Sequence, residues 1–249
     1  MKRITLLLIL VLGAVLLKGV EDLPDWGDPL SPAARHVSDY YITHTMSDTA
    51  VPNIVTSVLA DYRGYDTMFE TVVIFCAGIT VLTLLRRTHR QRKKVLPPRS
   101  DRAGADIVLQ AASRLLIPMM QIFALYVVAH GHHSPGGGFQ GGVIMGASFI
   151  LLALSHDVKT LLALLHERTV LLLSGVGVLI YAGIGFFCMF LGGNFLDYSA
   201  LAGVLGVSPV MARSHGMLGV EIGVAFTVTA IMVSLYLDLA TGGELDEGL

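Results

Sequence analysis

The sequence has little charge. Only 14% of its 249 residues are Asp, Glu, Lys or Arg, where soluble domains of this size carry about a quarter. Its formal net charge of −2 offers no basic excess and so no argument for nucleic acid as a partner. Cysteine is almost absent. Cys76 and Cys188 lie far apart within apolar runs, which excludes a disulfide framework, an iron–sulfur run and a zinc site. Both are read as small packing residues, and no cofactor, metal or catalytic residue is assigned.

What is abundant is apolar: 53% of the chain is hydrophobic, gathered into runs at 4–17, 67–85, 113–129, 143–154, 169–191 and 217–237. A hydrocarbon core of about 30 Å takes about 20 helical residues. The runs therefore predict an all-α, polytopic membrane protein of about six transmembrane helices, with lipid as its solvent. The first and fourth runs are short. Lys2 and Arg3 followed by an apolar stretch also suit a signal peptide, but residues 18–22 offer no small-x-small cleavage site, so the first helix is expected to be retained. With six spans, one side holds Lys2, Arg3, the nine basic residues from Arg86 to Arg114, Lys159 and Arg168, which is 13 of the 17 Lys and Arg. The positive-inside rule places that side, with both termini, in the cytoplasm of a cell inner membrane.

The basic run Arg86–Lys94, followed by Pro97 and Pro98, divides the chain. It is read as a topology signal beside anionic headgroups. The division is into 1–94, two helices flanking a long outer loop, a basic and proline-bearing linker at 95–103, and four helices at 104–249. Their different textures suggest two small ancestral proteins joined end to end.

Few residues inside these runs can carry chemistry. Asp66 and Glu70 are spaced i, i+4 and share a helix face. Glu70, one turn into the second run, is either an interfacial carboxylate reaching water or a buried ionisable group on an ion path. Glu221 lies one turn into the last run near its outer end, and serves either as a polar tie between helices or as a cation or proton site. Gly219 and Gly223 beside it make a small-xxx-small face for a neighbouring helix. Pro118 is expected to kink the third span, and Asp106 and Arg114 to frame its start. Asp197 reads as a solvated loop residue.

The densest local pattern is His130-Gly131-His132-His133-Ser134-Pro135-Gly136-Gly137-Gly138-Phe139-Gln140-Gly141-Gly142. Five glycines and a proline in eight residues predict a broken, non-helical segment that must be matched by protein or water. The adjacent His132 and His133 cannot easily meet one ion, and no Cys or carboxylate ligand spacing supports a metal. His130 and its neighbours are open to structural contacts or to proton handling.

These residues resemble a known family. PMMQIFALYVVAH running into GHHSPGGGFQGGV resembles the B-type component of the Mrp/Mnh multisubunit cation/proton antiporters, over about 106–237. VPNIVTSVLADYRGYDTMFETVVIFCAGITVLTLL is similar to the E-type module found near the C-terminus of the antiporter's large component and, separately, in membrane-bound hydrogenases. The resemblance implies an ion-transport component rather than an enzyme, exchanging Na+ against H+ beside other antiporter-type membrane subunits. By motif Glu70 matches the E-type module's intramembrane acid, with Asp66 as an entrance group; Ser134, Pro135, Gly136, Gly137, Gly138, Phe139, Gln140, Gly141 and Gly142 match the B-type motif. The fusion departs from the usual arrangement. It leaves three readings open: a stand-alone antiporter, a redox-driven relative with a hydrogenase or iron–sulfur partner, and a purely structural linker. A metalloenzyme built on the histidines would be a different class again.

Overall fold

The computed structural model describes residues 2–89 and 107–242. The linker 95–103, most of the basic run and Asp106 lie outside the described residues. Among the described residues every regular element is helical, as the apolar runs require. The chain divides between His44 and Thr45 into two compact units.

The N-terminal unit holds α1 (Lys2–Val20), a π-helical turn (Ala33–Ser38) and the start of α2 (Asp39–Thr49). Apolar side chains around α1, from Ile4 through Leu17, are exposed. Its apolar stretch Ile4–Val20 spans about 25 Å at 1.5 Å per residue, just short of a hydrocarbon core. Tyr40 and His44 stack one turn apart, their ring centroids 4.2 Å from each other.

The C-terminal unit contains α3 (Ile54–Ser57), a π-helical turn (Val58–Tyr62), α4 (Gly64–His89), α5 (Ile107–Ala129), α6 (Gly138–Ser155), α7 (Val158–Leu164), α8 (Glu167–Phe190), a 3-10 turn (Tyr198–Leu201), α9 (Ala202–Leu205) and α10 (Pro209–Thr241). Five of these, α4 over Gly64–Leu85, α5, α6, α8 and α10, are long and apolar enough to cross a membrane. Pro118 sits inside α5 without ending it.

The central helix is α10, packed against α8, α6 and α4. Its start is well signalled: the Ser208 side chain accepts from the Met211 amide, Pro209 occupies the first turn, and Gly242 closes the far end in the left-handed region. It stays central because small residues let its neighbours come close. Gly223 and Gly177 face each other, and a Cβ on Gly223 would lie 2.7 Å from the Gly177 carbonyl oxygen. Gly219 faces Ile184 of the same helix α8. On the other sides Gly142 and Gly146 of α6 meet Ala225 and Met232, and Gly78 of α4 meets Ile231.

Hydroxyls within the bundle are tied to the neighbouring backbone. Thr227 Oγ1 donates to the Ser174 carbonyl at 2.9 Å and Thr229 Oγ1 to that of Gly142 at 3.0 Å. Interhelical bonds of this kind in membrane proteins contribute about 0.6 kcal/mol on average and up to about 1.7. Thr227→Val keeps the shape and deletes the fully buried bond, so a loss of roughly 1 kcal/mol is expected. Thermal unfolding of the detergent-purified chain is the check, and an unchanged midpoint would count against the bond.

Three expectations need correction. The broken segment is shorter than the glycine content suggested: helix resumes at Gly138, so Gly138, Gly141 and Gly142 lie inside α6. Their missing side chains are used for contact, with Gly138 and Gly142 against α10 and Gly141 against Ala124 and Val128 of α5. Close packing there outweighs the entropic cost of glycine in a helix. Asp197 is a cap rather than a solvated residue, its carboxylate accepting from the Ser199 amide at 3.2 Å. Cys76 is exposed while Cys188 is buried, so only the second is a packing residue.

Candidate functional site

The local chemistry begins where the chain enters α4. Asn53 caps α3, its Oδ1 accepting from the Val55 amide at 3.0 Å. That leaves its amide nitrogen to face the turn 131–134, between α5 and α6. There Asn53 Nδ2 donates to the Gly131 carbonyl at 3.0 Å and to that of Ser134, and the Asn53 backbone amide donates to the His132 carbonyl at 3.1 Å. Thr56 Oγ1 also donates to the Gly131 carbonyl, at 2.7 Å. Within the turn Ser134 Oγ donates to the Gly136 carbonyl, and the Gly137 amide donates to Gln140 Oε1 at 3.1 Å.

Two tyrosines pin the next stretch. Tyr198 donates to the Ala60 carbonyl and Tyr181 to the Gly64 carbonyl, each at 2.9 Å. Burial pushes the Tyr198 phenol far above its ordinary value, so it stays a neutral donor. Beside them Arg213 Nε donates to Asp61 Oδ2 at 2.7 Å, and its cation lies 5.7 Å from the centre of the Tyr62 ring. Tyr62 donates in turn to Asp48 at 2.9 Å.

Between these ties lies a cavity of about 260 Å³, room for several water molecules. One wall is Asn53, Thr56, Thr67, Glu70 and Thr71; the other is Pro135 to Gln140 with Tyr181 and Glu221. Sequence-distant groups thus converge. Glu70 is on the open side, exposed at the first turns of α4, while Glu221 is only 9% exposed and its Oε2 accepts no hydrogen bond from the described residues. A buried acceptor without a partner is costly, and two carboxylates with hydroxyl and amide oxygens around a wettable space suit a hard monovalent cation or a proton.

Not every expected residue joins the cavity. Asp66 turns to an ion pair with Arg63, with Arg63 Nε 2.6 Å from its Oδ2. His130 is exposed and stacked on Tyr126 at 4.1 Å. Ser134, Gly141 and Gly142 contribute to packing around the cavity rather than to its lining. Among the described residues no group of three His, Cys, Asp or Glu is placed to hold a metal ion. His132 is half-buried. Burial, with His133 and His215 nearby, holds its ring below the ordinary histidine value.

Sequence reasoning missed Asn53, Asp61, Arg213, Tyr181 and Tyr198. A signal existed only for Asn53, an N-cap residue type directly before a short apolar segment. The other ties join residues more than a hundred positions apart.

A family profile described as a domain related to the MnhB subunit of Na+/H+ antiporter matches residues 108–234, and one for MbhE, the E component of MBH, matches 30–102. A Rhizobium meliloti (strain 1021) protein, named as the probable A/B component of a K(+)/H(+) antiporter, is 26% identical over 82% of this chain, which spans only 22% of that protein's length. A Staphylococcus aureus (strain Newman) protein named "Putative antiporter subunit mnhB2" is 31% identical over 55% of this chain and 96% of its own. Among solved structures, a chain of an archaeal membrane-bound sulfane sulfur reductase aligns over 93% of this chain and 97% of its own, at 27% identity and TM-score 0.59. A chain of the Mrp complex from Dietzia sp. DQ12-45-1b, 23% identical, shares the fold at TM-score 0.67 over 99% of this chain and 26% of its own. This multi-pass membrane protein thus carries an E-type segment ahead of its longer half, and by that half it belongs to the family of domains related to the MnhB subunit of Na+/H+ antiporters.

Proposed function

We propose that the chain is a membrane subunit of a multisubunit monovalent cation/proton antiporter, contributing part of the cation pathway. The observation that carries this reading is the cavity in which Glu70 of the first module and Glu221 of the second share one wettable space with the glycine-rich turn. A carboxylate there can be neutralised by Na+ or by H+, and exchange between the two is the elementary act of an antiporter. Asp66 and His130, outside the cavity, are assigned to its approaches. The modules are 1–94 and 104–249, joined by 95–103. Both termini lie on the cytoplasmic side of the inner membrane, as the basic residues favour. The chain supplies no covalent chemistry. Other antiporter-type membrane subunits complete the path, because Glu70 is exposed on this chain and an ionisable group within a span calls for a partner or a water-filled cavity.

Glu70→Gln tests the reading. Na+-dependent proton movement in vesicles bearing the assembled complex is expected to fall to background while the subunits still copurify. Unchanged transport would reduce the chain to a structural linker. One observation favours a second reading, a place in the membrane arm of a redox-driven ion pump: the end-to-end match to a chain of an archaeal respiratory complex. Mild-detergent isolation separates the two, since a copurifying iron–sulfur module would select the redox pump.

A further inference from the structure

The motif glycines do unequal work. Gly136 faces Val127 and Gln140, Gly141 faces α5, and Gly142 faces α10. The remaining three of the turn and helix start all converge on one residue. A Cβ on Gly131 would lie 2.6 Å from Glu221 Oε2, and one on Gly137 would overlap Oε1 and lie 2.8 Å from Cδ. A Cβ on Gly138 would instead overlap the main-chain carbonyl of Glu221. Two glycines therefore adjoin the carboxylate itself, and the third admits its backbone.

We propose that Gly131 and Gly137 are positioning residues for Glu221, their absent side chains forming a seat that fixes where its carboxylate stands in the cavity. The inference rests on the reading of Glu221 as an ion-handling group. Glu221 is nine-tenths buried and its Oε2 accepts nothing from the described residues, so the seat gives the carboxylate room without using up its acceptor capacity. Asn53 and Thr56, by holding the Gly131 and Ser134 carbonyls, keep the seat in place. A carboxylate seated this way stands at a set distance from Glu70 across the cavity. Binding groups must be held within about 0.5 Å to work together.

The seat makes a prediction that ordinary packing does not. Gly137→Ala puts a methyl where Oε1 stands, and Glu221→Asp withdraws the carboxylate by one methylene, about 1.5 Å. In the assembled complex in vesicles, Gly137→Ala is expected to lose transport about tenfold, to raise the half-saturating Na+ concentration and to shift the pH profile. The double variant Gly137→Ala/Glu221→Asp is expected to transport better than Gly137→Ala alone, since neighbours in contact couple. Gly138→Ala is the control: its methyl meets main chain, so Glu221→Asp should not rescue it.

Wild-type transport and pH profile in Gly137→Ala would overturn the seat, and so would equal rescue of Gly137→Ala and Gly138→Ala. If Gly137→Ala fails to assemble, copurification becomes the readout; recovery on adding Glu221→Asp supports the seat, and no recovery overturns it. Glu221→Gln separates the two levels. Wild-type transport in that variant defeats the ion-handling reading and the seat with it, whereas an inactive Glu221→Gln beside an unaffected Gly137→Ala defeats the seat alone.

Discussion

Arg213→Leu is expected to destabilise the C-terminal unit by roughly 3 kcal/mol at pH 8, the low end of the cost of stranding one member of a buried ion pair. Asp61 and Arg213 side chains are 9% and 25% exposed, and their contact joins the π-helical turn ahead of α4 to the first turns of α10. Leucine leaves Asp61 as an uncompensated buried charge, so the loss should depend on pH. Burial raises the Asp61 carboxyl above the ordinary value of 3.8, and Arg213 pulls it part of the way back. For a carboxyl raised in the folded state, the stabilisation is complete below the unfolded value and is lost as pH rises through the folded one. Removing Arg213 lifts the folded value further and widens that window upward. The deficit of the variant should therefore shrink as pH falls from 8 towards 5. Thermal unfolding of wild type and variant in detergent at several pH values reads this directly. No deficit would mean that the pair adds nothing to the fold, and a deficit independent of pH would mean that Arg213 acts by packing rather than by compensating Asp61.

Asn53→Asp is the second large effect. The exchange keeps an oxygen for the α3 cap but replaces the donor that faces the Gly131 and Ser134 carbonyls with an anionic acceptor. Thr56 still donates to the Gly131 carbonyl, so it is the Ser134 carbonyl that loses this donor, at a cost of about 1–3 kcal/mol, and the new charge adds repulsion against both oxygens. With a protease site placed at 95–103, cut wild-type halves are expected to migrate together on gel filtration in mild detergent. A loss of about 3 kcal/mol weakens their association by roughly 150-fold, so the cut Asn53→Asp halves should separate. Halves that stay together equally well in both would show that the tyrosine ties and the contact of α4 with α10 suffice.

Part of this was legible from the sequence, for physical reasons. Spans announce themselves because lipid demands unbroken apolar helices, and the runs at 67–85, 113–129, 169–191 and 217–237 became α4, α5, α8 and α10. Small-residue spacing pointed Gly219 and Gly223 at a neighbour, which is α8. The start of α6 was missed because glycine signals a break by propensity, while its use in close helix approach depends on which helix stands opposite. Glu70 and Glu221 were each suspected alone. Their shared cavity is set by the packing of α4 on α10, which no local pattern encodes. Asp61 and Arg213 lie 152 positions apart, and neither has a neighbour in sequence that hints at the other.

The contact around Asn53 has an evolutionary consequence. Every bond Asn53 makes to the turn ends on a main-chain oxygen, of Gly131, His132 or Ser134. Side chains on that turn can drift without altering what Asn53 grips. Coordinated substitution on both sides is therefore not required; one amide-bearing residue and one backbone conformation are the heritable terms of the bond. This one contact can pass into two genes, or be fused into one, without renegotiation, unlike the side-chain pairing of Asp61 with Arg213.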